Sequence, residues 1–208
     1  MKSLTFILIL FSTVANGQWY IGGKAAAAFS KYKSKTQWTE VANGGYAAGL
    51  TAFRQIKSNL GMNIELEYIQ KGYYHKVCNT ITDRLNTNYL EIPVMIDYSF
   101  PIPSVKNFKV HITLGAYGAY WLSGKYKTQG FDVQTEDFNF EKNSASHFDF
   151  GPSAGARIEY ILMNGSFSLD IRFEKGLVDL EKRTNDNTSN TNQSMIIGIS
   201  YMKVMGIL

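Results

Sequence analysis

The chain has 208 residues, 45 % of them hydrophobic, and a formal charge of +4, which suits one domain or a single barrel and, with basic residues scattered among acidic ones, argues against a nucleic-acid partner. A mean hydropathy of −0.16, with no internal apolar run near the roughly 18 residues of a spanning helix, excludes a helical membrane bundle. The 13 Tyr, 13 Phe and 18 Gly lean toward strands and tight turns.

The N-terminus comes first. Met1-Lys2 is a short basic start, Leu4 to Val14 is an apolar core, and Ala15-Asn16-Gly17 places small residues before Gln18. This predicts a secretory signal peptide over 1–17 with cleavage after Gly17, leaving 18–208 as the barrel domain. The single cysteine, Cys78, falls in a predicted loop and has no partner for an internal disulfide.

Eight strand segments then follow with a period of two. The first (about 18–31) and second (about 44–56) are Gly/Ala-rich, and Lys24 lies on the polar side of the first. In the third, Leu60, Met62, Ile64, Leu66 and Tyr68 oppose Gly61, Asn63, Glu65 and Glu67. A helix would scatter these residues, whereas a strand sorts them onto two faces. In the fourth, Leu90, Ile92, Val94, Ile96 and Tyr98 oppose Tyr89, Glu91, Pro93, Met95 and Asp97. The fifth sets Phe108, Val110, Ile112 and Leu114 against Lys109, His111, Thr113 and Gly115. The sixth sets Phe148, Phe150, Ala154, Ala156, Ile158 and Tyr160 against Asp149, Gly151, Ser153, Gly155, Arg157 and Glu159. The seventh sets Phe167, Leu169, Ile171 and Phe173 against Ser168, Asp170, Arg172 and Glu174. In the eighth, Met195, Ile197, Ile199 and Tyr201 oppose Gly198 and Ser200. Pro93 removes a ladder donor in mid-strand, which predicts a local bulge.

Long polar connections (about 32–43, 77–86, 125–146 and 181–193) alternate with short turns at Lys57-Ser58-Asn59, Pro101/Pro103 and Met163-Asn164-Gly165. Asn-Gly is a hairpin signal. Long loops at one end and short turns at the other are the layout of an outer-membrane barrel, whose loops are extracellular and turns periplasmic. Aromatic residues of the apolar face cluster at both strand ends. Trp19, Tyr98, Phe108, Tyr160, Phe167 and Tyr201 lie at the short-turn end, and Phe29, Tyr46, Tyr68, Tyr120, Phe148 and Phe173 at the other. Such rings suit the two membrane interfaces. The expectation is therefore an all-β, eight-stranded antiparallel up-and-down transmembrane barrel with its apolar face toward lipid.

The polar face would then line an interior just wide enough for side chains. It carries Glu65, Glu67, Glu91, Asp97, Lys109, Arg157, Glu159, Asp170, Arg172 and Glu174, which predicts a closed structural salt-bridge network. His111 shares this face; His75 and His147 lie near the long loops. None of the three has metal-ligand spacing, and no phosphate loop or cofactor motif is present, so no cofactor, metal or catalytic residue is expected. Ser153, His147 and Asp149 lie close in sequence without a nucleophile motif around them. The 125–146 loop, with Phe131, Phe138 and Phe140, suggests an extracellular hairpin able to meet a protein partner.

Several segments are similar to the PorT-like outer-membrane β-barrel family: Leu66-Glu67-Tyr68 with Lys71-Gly72, Asn88 to Val94, Gly115 to Tyr120 with Leu122 to Lys125, Phe148 to Gly151, Gly155 to Tyr160 and Arg172 to Leu177. The likeness spans about 18–204, and that family also carries a proline where Pro93 stands. The resemblance implies a Gram-negative outer-membrane barrel, one of whose relatives is linked to protein secretion. It implies no catalytic residue. The function expected is a structural, adhesive or secretion-associated barrel working through its loops. A narrow solute channel, a barrel hydrolase and a soluble ligand-binding barrel are the alternatives.

Overall fold

Alternating residues define a wall with two unlike faces. The computed structural model describes residues 18–33, 40–76, 82–102, 105, 107–129, 133–139, 145–180 and 191–205. The predicted signal segment, Cys78, Phe131, Phe140 and most of the 181–193 loop lie outside them.

The strands are β1 (Trp19–Lys33), β2 (Glu40–Lys57), β3 (Leu60–Lys76), β4 (Thr82–Pro101), β5 (Phe108–Gln129), β6 (Val133–Asp137), β7 (Phe148–Leu162), β8 (Gly165–Lys175) and β9 (Thr191–Met205). All pairings are antiparallel, and each barrel strand lies beside its sequence neighbour. β1 meets β9, so eight strands close a ring with no free edge. β6 stands outside the ring, paired among the described residues with the outer end of β5 alone.

Five strands reach further than the sequence pattern suggested. Tyr32–Lys33, Glu40–Asn43, Thr82–Asn86, Lys125–Gln129 and Thr191–Gln193 are strand, although they fall in the expected loops. The apolar alternation stops there because the outward side chains no longer meet lipid. The backbone ladder needs no apolar partner and continues.

The expected bulge at Pro93 is absent. The β4–β5 register runs through Pro93↔Tyr117, and the β3–β4 ladder passes from Ile64↔Val94 to Glu67↔Glu91 in unchanged register. The missing donor interrupts a few rungs without adding a residue. The register shifts lie elsewhere. One, between Ala42 and Ala47, puts an extra residue in β2. A second, at Asn88/Tyr89, puts an extra residue in β5 beside Leu122, and a third, between Gln55 and Lys57, puts an extra residue in β2 beside the short turn. Gly72, near the first, has φ +148°, and a Cβ there would come within 1.9 Å of the Leu85 carbonyl oxygen. Only glycine fits that wall.

The outer face is apolar and bare. Leu50, Leu114, Phe148, Ile199 and Phe167 are each more than half exposed. Aromatic pairs mark both rims. Phe167–Tyr201 and Phe108–Tyr160, each at 4.8 Å, lie at the short-turn end, and Tyr120–Phe148, at 5.1 Å, and Tyr46–Tyr68, at 6.2 Å, at the long-loop end. The buried residues inside the ring include Lys24, Glu65, Glu67, Lys71, Glu91 and Arg172. A soluble protein buries the opposite set.

Candidate functional site: a sealed interior

The interior is stacked in three tiers, because successive inward residues climb each strand two at a time. At the short-turn end, Asp97 of β4 accepts from Arg157 of β7, and His111 of β5 lies 3.1 Å from Glu159. The Arg157 guanidinium also rests 5.0 Å over the Phe53 ring. A cavity of about 280 Å³ opens on this tier, lined by Tyr20, Phe53, Asp97, Ser99, Lys109 and Glu159 among others.

The middle tier holds three cations among five carboxylates. Lys24 lies 3.0 Å from Glu65, 3.5 Å from Glu67 and 2.9 Å from Asp170. Arg172 reaches Glu65 at 2.5 Å, Glu67 at 2.6 Å, Glu91 at 3.4 Å and Glu174 at 2.8 Å. Lys71 bridges Glu91 at 2.5 Å and Glu174 at 2.8 Å. The charges come from β1, β3, β4 and β8, so the network straps the wall across its bore. Arg172 serves four carboxylates because its planar fork presents several donors at once. A cavity of only about 20 Å³ remains between Lys24, Glu65, Arg157 and Arg172, enough for about one water.

The upper tier is aromatic. Lys71 Nζ lies 4.5 Å over Tyr117 and 5.8 Å from Tyr89, which joins the charged tier to it. Tyr89, Trp121, Ile69, Leu85, Ile196 and Leu180 are fully buried there. The Tyr32 and Tyr89 hydroxyls are 3.3 Å apart, and Tyr117 donates to Asp149 at 3.0 Å. The β5 bulge turns Gly124 inward, whereas before it Tyr117, Ala119 and Trp121 point in. Phe138, just past β6, returns onto Trp121 at 4.6 Å and Tyr126 at 5.4 Å, its amide donating to the Gly124 carbonyl. The outer hairpin thus ends in an aromatic cap.

Of the residues expected in an interior network, Glu65, Glu67, Glu91, Asp170, Arg172 and Glu174 sit in the middle tier and Asp97, Arg157 and Glu159 in the lower one. Lys109 pairs in register with Glu159 but joins none of these ion pairs. Lys71 was not anticipated as an interior cation. It falls beyond the end of the clean alternation of β3, where a basic residue reads as the start of a loop. The aromatic tier was also missed, although Tyr89 sits on the polar face opposite Leu90 and signalled it. His147 stacks on Tyr120 at 5.5 Å and its Nδ1 is 3.1 Å from the Trp121 carbonyl oxygen, while Asp149 accepts from Tyr117 and Asn192. Ser153 is buried on the inner wall. His75 packs against Tyr73 at 4.6 Å, far from the lower tier that holds His111.

Known proteins bear on this geometry. OprG of Pseudomonas aeruginosa, an outer-membrane protein, is 14 % identical with a TM-score of 0.54, the match covering 89 % of this chain and 95 % of that one. Ail, the attachment invasion locus protein of Yersinia pestis, is 15 % identical with a TM-score of 0.45 over 90 % of this chain and 99 % of its own. Neisserial surface protein A is 15 % identical with a TM-score of 0.44 over 89 % and 96 %. No curated protein sequence matches the chain significantly. The model of the outer membrane protein beta-barrel domain matches residues 12–182, most of the chain. An apolar exterior, a charged interior and this match agree: the chain belongs to the outer-membrane β-barrel protein family.

Proposed function

We propose that the protein is a non-enzymatic, non-conducting outer-membrane anchor that presents its long-loop end to a protein partner outside the cell. The signal segment ending near Gly17 would direct export and be removed. The observation that carries the reading is the interior, where a charged tier with room for about one water lies under an aromatic tier. A solute path would have to break both. The working surface then lies outside the barrel.

The β5–β6 ribbon is the part of that surface best suited to a partner. Val133 to Asp137 are all exposed, and among the described residues β6 has β5 as its one strand neighbour, which leaves its other edge unpaired there. An open edge can accept an extended segment of another protein. The resemblance to PorT-like barrels favours a partner in secretion.

Planar bilayers test the closed interior. The purified, folded protein is expected to give no discrete conductance steps. Regular steps of fixed size would favour a narrow channel instead and would move the function into the bore.

A further inference from the structure

The outward face of β1, β9 and β8 carries a feature that an anchor does not require. Lys31, Gln193 and Lys175 are register partners across these strands and point outward together, at the long-loop end. With strands about 4.8 Å apart, the two lysines stand roughly 10 Å from each other. Both are exposed, and among the described residues neither is in an ion pair. Two residues toward the membrane, the same strands carry Phe29, Met195 and Phe173.

A groove of about 310 Å³ lies between the two phenylalanine rings over Met195, with Lys31, Ala42 and Lys175 at its rim. A second of about 360 Å³ lies on the far side of Phe173, against Leu114, Pro152 and Ala154, and also reaches Lys175. The compact outward side chains explain the second hollow: Pro152 and Ala154 leave the wall beside Phe173 low. Apolar grooves facing lipid, with exposed cations directly above them, match an amphiphile with acyl chains below and anionic groups at headgroup depth.

We propose that this face is a binding site for one phosphorylated acyl lipid of the outer leaflet. Its chains lie in the two grooves beside Phe173, and its phosphates meet Lys31 and Lys175. Lys31 and Lys175 are the specificity residues, since phosphate oxygens accept from ammonium groups. Gln193 between them adds an amide donor.

The test uses the full-length folded protein in detergent, titrated with bis-phosphorylated lipid A or its dephosphorylated form, with retained lipid counted by native mass spectrometry. Lys31→Gln/Lys175→Gln removes the headgroup contacts. Ala42→Trp fills the first groove and keeps both lysines. Lys203→Gln, which removes an outward lysine at the short-turn end, is the control for net charge. All four positions are exposed, and a heat-dependent gel shift verifies folding of each variant. The phosphorylated lipid is expected to bind the wild type and the control alike. The double variant should bind at least about tenfold more weakly, given roughly 1 kcal/mol per basic residue near an anionic headgroup, and Ala42→Trp should bind more weakly too. Undiminished binding to the double variant, equal binding of the dephosphorylated form, or displacement by millimolar inorganic phosphate would each overturn the proposal.

Discussion

Arg172 shows how a residue of this interior is stabilised. It is 4 % exposed and contacts four carboxylates, while Lys24 and Lys71 share the same acids. Removing it leaves Glu65, Glu67, Glu91 and Glu174 with two lysines, all of them buried in the bore. Arg172→Ala is therefore expected to lose about 3–5 kcal/mol, read as a lower unfolding temperature of the detergent-folded protein; an unchanged melting curve would place Arg172 outside the network. Gly72 is the backbone counterpart. Its amide donates to the Ser30 hydroxyl, which donates back to the Gly72 carbonyl, and its φ suits glycine alone. Gly72→Ala should cost about 1–3 kcal/mol, visible in the urea midpoint. A midpoint equal to the wild type would show that the β2–β3 wall can yield there.

Among the elements, the ribbon and the ring obey different rules. Among its described residues, the β5–β6 extension buries Phe138 alone, beyond its end, and every residue of β6 is exposed. Tyr126 and Glu136 are register partners, so a two-residue turn can close the hairpin between them. Replacing residues 127–135 by Asn-Gly should leave barrel stability within about 0.5 kcal/mol while removing the open edge. A variant that no longer folds would show that the ribbon is part of the barrel. The same contrast explains what could be read from sequence. Inside the membrane, each strand sorts apolar from polar residues at every step, and the facing of Glu65, Arg157, Asp170 and Arg172 follows from their neighbours. Outside it, Thr82–Asn86 and Lys125–Gln129 hold a single apolar or aromatic residue each, Leu85 and Tyr126, so no alternation marks them as strands. Lys71, Tyr89 and Trp121 sit in this transition. Tyr89 already lay on the polar face of its strand, whereas Lys71 and Trp121 read equally well as loop or rim, and only the continued ladders with neighbouring strands turn them inward. Pro93 misled for a related reason: a lost donor need not insert a residue.

At the scale of the molecule, the account inverts the packing of a soluble protein. Charges hold the inside together, and apolar side chains face outward toward lipid. Alternation alone allows the opposite arrangement, in which an apolar ligand would fill the barrel. Aromatic rims, loop asymmetry and the interior ion pairs favour the membrane orientation, which carries both the proposed anchor and the lipid site. Cell fractionation followed by gel electrophoresis of boiled and unboiled samples tests it most directly. A band in the outer-membrane fraction that migrates differently after boiling is predicted, because a closed transmembrane barrel resists detergent until heated. A soluble periplasmic band that runs identically with and without boiling would contradict the account and turn the apolar face back to the inside.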